Sequence, residues 1–164
     1  VGISAPTPLK AGHDTSSFCC GEPILDDWLK HTALKNEGKS ASRTFVACDG
    51  NRVIGYYALA AGAIERGDTP GHVRRNMPDP IPVMVLARLA VDTAYQSRNL
   101  GKGLLKDAIL RALTVSEHIG IKAILVHAIS DTAKQFYINQ GFRESPTNDM
   151  TLMISLDEAL RNAR

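Results

Sequence analysis

The sequence predicts an α/β domain built on a mixed sheet, and three observations carry that expectation. Strand-length apolar runs recur along the chain as "VIGYYALAA", "VMVLARLAV" and "KAILVHAI". Between the last two, Leu104, Leu105, Ala108, Ile109, Ala112, Leu113 and Val115 repeat at helical spacing. A turn at Asp49-Gly50-Asn51 joins two strand-like runs, so part of the sheet is antiparallel. A length of 164 residues suits one domain, residues 1–164, with a real core.

The elements follow in order. "GEPILDDWLKHTALKNEGKS" places Ile24, Leu25, Trp28, Leu29 and Leu34 at helical intervals, giving one or two short helices that end near Gly38. "TFVAC" and "VIGYYALAA" form the hairpin. Residues 62–82 contain "GDTPG" and "MPDPIP" and read as a long proline-marked loop with one helical turn around "HVRRN". "VMVLARLAVD" is almost wholly apolar, as a strand buried on both faces is. The helix of about four turns follows, then the strand "KAILVHAI". "DTAKQFYINQ" reads as a helix capped by Ser130 or Asp131 and stopped at Gly141. "GFRES" and "TLMISL" complete the sheet. The expected order is β, α, β, β, loop, β, α, β, α, β, β.

Composition narrows the class. Apolar residues make up 44% and charged residues 22%, the balance of a folded globular chain. No apolar run approaches the ~20 residues of a membrane span, and "VGISAPTPLK" lacks a signal-peptide pattern. Cys19, Cys20 and Cys48 are odd in number and form no C-x-x-C, so the expectation is a reducing cytoplasm without a disulfide framework. The five histidines show no ligand spacing, and no metal is expected. Net charge is only +2, yet basic residues cluster. Lys30, Lys35, Lys39, Arg43 and Arg52 form one group, and Arg98, Lys102, Lys106 and Arg111 another. Each is either a solvated face or a surface for a polyanion.

Gly101 and Gly103 stand where the long apolar strand gives way to the amphipathic helix. A helix start offers free N–H groups and a partial positive charge, and is a natural phosphate site. Glycines there let a phosphate approach the backbone, and Arg98 and Lys102 add formal charge. The P-loop pattern is absent, and Lys106 stands where a dinucleotide fingerprint needs its third glycine. What remains is R-x-x-G-x-G, Arg98-Asn99-Leu100-Gly101-Lys102-Gly103, a candidate pyrophosphate turn.

That motif resembles the acyl-CoA site of the GNAT superfamily of N-acetyltransferases, and "SDTAKQFYINQGF" is similar to its A-x-x-F-Y-x-x-x-G-F signature. The resemblance covers nearly the whole chain. "FCCGEPILDDWLK", "RRNMPDPIPVMVLARLAVD" and "AKQFYINQGF" resemble more closely the TacT-type toxins of bacterial toxin–antitoxin pairs. The resemblance implies a mixed, mostly antiparallel central sheet splayed around an acyl-CoA cleft, with helices on both faces. It implies acetyl-CoA as cosubstrate and aminoacyl-tRNA as the acetyl acceptor, so that translation stops. It further implies a ribbon-helix-helix antitoxin, operator DNA reached only through that antitoxin, a homodimer, a cytoplasmic location and no membrane.

By the same resemblance, Leu89, Ala90 and Val91 would hold the pantetheine arm through backbone groups, as an added strand is held. Arg98, Asn99, Leu100, Gly101, Lys102 and Gly103 would hold the pyrophosphate. Ser130 falls where many relatives place a cofactor-bonding Asn, and Phe136 belongs to the F-Y signature. Tyr137 is the expected acid, since a phenol can donate to the departing sulfur; on periodicity alone it would be a core residue. The α-amino group has a reference pKa of about 7.7–8.0, so water can serve as base, and Glu65 and His127 are not required. Arg88 inside an apolar strand needs an ion-pair partner or a ligand, here the acceptor end of an RNA. Arg74, Arg75, Lys30 and Lys35 are the candidate RNA-phosphate contacts. Two other readings stay open: acetylation of a small amine or a protein N-terminus, and a non-catalytic acyl-CoA-binding domain.

Overall fold

The computed structural model describes residues 2–162. In chain order the strands are β1 (Thr7–Pro8), β2 (Arg43–Asp49), β3 (Arg52–Ile64), β4 (Ile81–Val91), β5 (Ala123–His127), β6 (Arg143–Glu144) and β7 (Thr151–Ser155). The helices are α1 (Pro23–His31), α2 (Ala33–Gly38), α3 (Gly71–Arg74), α4 (Leu100–Ser116), α5 (Asp131–Asn139) and α6 (Leu156–Asn162). The strands form one seven-stranded sheet in the order β1-β2-β3-β4-β5-β7-β6. Its β4–β5 ladder is parallel, while β1–β2, β2–β3, β5–β7 and β6–β7 are antiparallel. The mixed, mostly antiparallel sheet expected from the sequence is present.

The chain divides into two compact units, residues 1–60 with 87–108 and residues 61–86 with 109–164. In the first, the β2–β3 hairpin pairs from Arg43 with Leu59 to Asp49 with Arg52, with a bulge at Ala47 and Cys48. Gly50 supplies the positive φ of its turn, 64°. The apolar stripe of α1 packs Leu25 and Leu29 into a core with Phe18, Val46, Val53, Tyr56 and Ala90. Pro23 opens α1, where its missing N–H has no partner to lose. Burying a side chain of this size contributes about 1.5–3 kcal/mol.

In the second unit, β5 lies between β4 and β7, and Val73, Ile81, Val83, Ala123, Leu125 and Met153 form the core. The α5 helix starts at a Ser130 cap and stops before Gly141, whose φ of 97° is a left-handed stop that favours glycine. Two sequence expectations need correction. β3 continues to Ile64, so the proline-marked connection is shorter than residues 62–82. Besides α3 it holds a 3-10 turn at Arg66–Asp68. The expected order also lacks a helix: the last strands do complete the sheet, but β7 leads directly into α6, which buries Leu156 and Ala159. Seven helical residues are too few to display a period.

Candidate functional site

In the first unit, the connection from β4 to α4 builds a loop held from below by one carboxylate. Asp92 is buried, and its side chain accepts from Ala94 N–H at 3.0 Å, from Cys19 N–H at 3.1 Å and from Arg52 Nη2 at 3.4 Å. These bonds turn the chain out of the sheet and into a 3-10 turn, Thr93–Tyr95. Ser97 and Asn99 then take left-handed conformations, φ 68° and 59°, on either side of Arg98. Such conformations are uncommon outside glycine, and here they make the turn that sequence reading gave to Gly101 and Gly103. The two glycines instead lie in the first turn of α4 and have no positive φ.

Neither glycine therefore owes its place to a left-handed backbone. The Gly103 N–H bonds the Asn99 carbonyl at 3.1 Å. The amides of Leu100, Gly101 and Lys102 lie ahead of this ladder, as the first donors of a helix do. A Cβ built on Gly103 meets nothing within 4 Å. The surface above the helix start is open, and Arg98 and Lys102 beside it are exposed. Open space, leading amides and two cations suit a diphosphate.

The parallel ladder with β5 ends at Leu86 against Val126, and β4 runs on through Leu89, Ala90 and Val91. Ala90 is buried; Leu89 and Val91 are half-buried. One backbone acceptor there is already engaged: Gln96 Nε2 donates to the Val91 carbonyl at 2.9 Å. The ion pair considered for Arg88 is not present among the described residues. Its guanidinium instead lies 5.2 Å from the Trp28 ring centroid, and Nη1 donates to the Ala87 carbonyl at 2.8 Å. Trp28 in turn stacks on Tyr56 at 5.9 Å. Lys30 lies half-buried in the last turn of α1, and Lys35 is exposed on α2.

In the second unit, α5 carries Phe136 and Tyr137. The Tyr137 ring lies 5.2 Å from Phe136 and 5.4 Å from Phe142, centroid to centroid, and the residue is only 8% exposed. Its hydroxyl has no hydrogen-bond partner among the described residues, yet the oxygen is not sealed from solvent. Burial pushes this phenol above its usual pKa, so it stays protonated at neutral pH. A fixed ring with a protonated, unengaged O–H is what a proton donor to a ligand requires. Ser130 caps α5 by accepting from Ala133 N–H at 3.1 Å, leaving its own hydroxyl hydrogen for another acceptor.

Arg74 and Arg75 are exposed at the end of α3. Glu65 is exposed ahead of the 3-10 turn Arg66–Asp68. His127 is exposed and its Nδ1 lies 2.9 Å from Thr151 Oγ1. Sequence reasoning missed Asp92, Arg52 and Tyr95, which pack around the connection from β4 to α4, and Trp28, which lies against Arg88. An Asp directly after an apolar strand is a turn signal and could have marked Asp92. Nothing local announces Trp28 as the partner of a residue so distant in the chain.

Residues 40–144 match the acetyltransferase (GNAT) domain. The chain is 49% identical over 158 residues to the tRNA-acetylating toxin of Mycobacterium tuberculosis, covering 96% of this chain and 95% of that protein. The solved structure of AtaT complexed with acetyl-methionyl-tRNAfMet superposes with TM-score 0.90 at 25% identity, covering 98% of each chain. A Tyr-to-Phe mutant of AtaT, bound to the C-terminus of the antitoxin AtaR and acetyl-CoA, gives TM-score 0.84 at 25% identity. That match covers 97% of this chain and 96% of AtaT. The chain belongs to the GNAT acetyltransferase family, and it is similar over almost its whole length to a tRNA-acetylating toxin.

Proposed function

We infer that this protein transfers the acetyl group of acetyl-CoA to the α-amino group of aminoacyl-tRNA and thereby blocks translation. The observation that carries this reading is the near full-length likeness to a tRNA-acetylating toxin. The phosphate loop and the unpaired Tyr137 phenol support it chemically.

Acetyl-CoA supplies the acetyl group as an activated thioester. Leu100, Gly101 and Lys102 offer backbone N–H groups to its pyrophosphate, with Arg98 and Lys102 as countercharges. Gly103 leaves the space free. The β4 segment Leu89–Val91 presents backbone groups to the pantetheine arm, and the Ser130 hydroxyl donates beside α5. The α-amino nitrogen forms the new C–N bond as the C–S bond breaks. Tyr137 gives its proton to the departing sulfur, and the surplus amine proton passes to water and back to the phenolate. No strong base is needed, because an amine of pKa about 7.7–8.0 is partly neutral at pH 7.

Arg74, Arg75, Lys30 and Lys35 contact phosphates of the RNA. Arg88, planar and stacked on Trp28, faces the acceptor end. A ribbon-helix-helix antitoxin silences the enzyme and carries the operator DNA contact. The protein works in the cytoplasm as a homodimer.

Incubation with labelled acetyl-CoA and charged tRNA tests the reading. Label should appear on charged tRNA and not on deacylated tRNA. Label only on free amines or peptides would replace the acceptor, and no transfer to any amine would reduce the chain to an acyl-CoA binder.

A further inference from the structure

Tyr95 is the centre of a small charged cluster in the first unit. Its ring carries two guanidinium groups, Arg98 at 5.1 Å and Arg52 at 5.6 Å from the centroid. Its hydroxyl donates to Asp49 Oδ2 at 2.5 Å, and its backbone N–H to the Asp92 carbonyl at 2.9 Å. The ring is thus fixed at both ends.

The two arginines differ in what else they hold. Arg52 is tied to the buried Asp92 carboxylate at 3.4 Å. Arg98 has no carboxylate partner among the described residues. It is exposed, and its backbone is bracketed by the left-handed Ser97 and Asn99. A long, exposed arginine normally samples many rotamers, and a ligand that recruits it must order it. Stacking on a fixed ring removes much of that freedom beforehand and keeps the planar fork available for phosphate oxygens.

We propose that Tyr95 is a positioning residue for acetyl-CoA: its ring, anchored by Asp49, holds the Arg98 guanidinium in place at the pyrophosphate turn. This rests on the reading of residues 98–103 as the diphosphate site. Tyr95 itself touches neither the acetyl group nor the amine.

The test is a double-mutant cycle read by acetyl-CoA affinity and by the split between KM and kcat. Tyr95→Leu should weaken acetyl-CoA about two- to fivefold, the worth of an exposed cation–π contact. It should raise KM accordingly and leave kcat within about twofold. Arg98→Ala should weaken binding more. Once Arg98 is Ala, Tyr95→Leu should have no further effect, because platform and guanidinium act as one unit. Arg98→Lys keeps the charge without the planar stack and should bind as Tyr95→Leu does. Should Tyr95→Leu not fold, Tyr95→Phe tests the anchor alone, and its loss of affinity should also vanish in the Arg98→Ala background.

The outcomes separate the two layers. If Arg98→Ala leaves acetyl-CoA affinity intact, the diphosphate reading fails and the proposal falls with it. If Arg98→Ala weakens binding but the tyrosine variants act equally in both backgrounds, the diphosphate reading stands and the platform is refuted. A fall in melting temperature with no change in KM would make Tyr95 a fold residue only.

Discussion

Tyr137→Phe separates chemistry from packing more cleanly than any other single change. The substitution removes one oxygen and keeps the ring. The contacts with Phe136 and Phe142, at 5.2 and 5.4 Å, survive. No hydrogen bond to a described residue is lost. A poorly satisfied hydroxyl in a site only 8% exposed is a liability to the fold, so its removal should be neutral or stabilising by about 1 kcal/mol. For a chain of this size that corresponds to a melting temperature unchanged or raised by roughly 2–4 °C. The transfer rate should nevertheless fall by about 10²–10⁴, or ~3–5 kcal/mol of barrier. Acetyl-CoA affinity should hold, because residues 98–103 and the β4 backbone, which we propose hold the cofactor, are untouched. The assays are a thermal melt, acetyl-CoA calorimetry and single-turnover acetylation of charged tRNA. A folded variant that binds acetyl-CoA and transfers at the parent rate would refute the acid role. Loss of acetyl-CoA binding instead would make Tyr137 a binding residue and water the acid.

Other expectations follow from the same geometry. Gly103→Glu should abolish acetyl-CoA binding while the melt stays close to that of the parent, because a Cβ there meets nothing within 4 Å and a carboxylate would occupy the anion site; retained affinity by calorimetry would remove this turn from the diphosphate site. Converting Arg74 and Arg75 to Glu should weaken tRNA acetylation and flatten its salt dependence, since each neutralised phosphate releases counterions, while acetyl-CoA affinity is unchanged. A double variant with parent-like salt dependence would exclude α3 from the RNA contact. His72 is largely buried, with Nε2 3.5 Å from Glu158, and burial, reinforced by Arg143, holds its pKa below the usual histidine value. The unfolded chain then takes up a proton near pH 6.5 that the folded chain resists, so stability is whole above about pH 6.5 and declines below it. His72→Leu should flatten the fall in melting temperature between pH 7.5 and 5.5, and an unchanged slope would place the acid sensitivity elsewhere.

Which parts were legible in the sequence depended on how local their causes are. The α5 cap and stop lie within one short segment, and Ser130 and Gly141 behave as their residue types imply. The hairpin is marked by its turn, β4 by its unbroken apolar run and α4 by its helical period, all within contiguous sequence. The diphosphate motif was readable as a pattern but not in its mechanics. The left-handed residues are Ser97 and Asn99 rather than the glycines, and at Gly103 the space a side chain would fill is open. Partnerships set by the tertiary fold were not legible. Arg88 meets Trp28, and Tyr95 meets Asp49 and Arg52, across long sequence separations with no local signal. α6 was missed because its short apolar stripe follows β7 without a break.

Charged tRNA as the acetyl acceptor is tested by mass spectrometry of the aminoacyl groups on total tRNA from a translation extract treated with the protein and acetyl-CoA. N-acetylated aminoacyl groups should appear on the tRNA of the treated extract, be absent with Tyr137→Phe, and rise as protein synthesis stops. Translation arrest with every aminoacyl group unmodified, or acetylation confined to proteins and small amines, would contradict it.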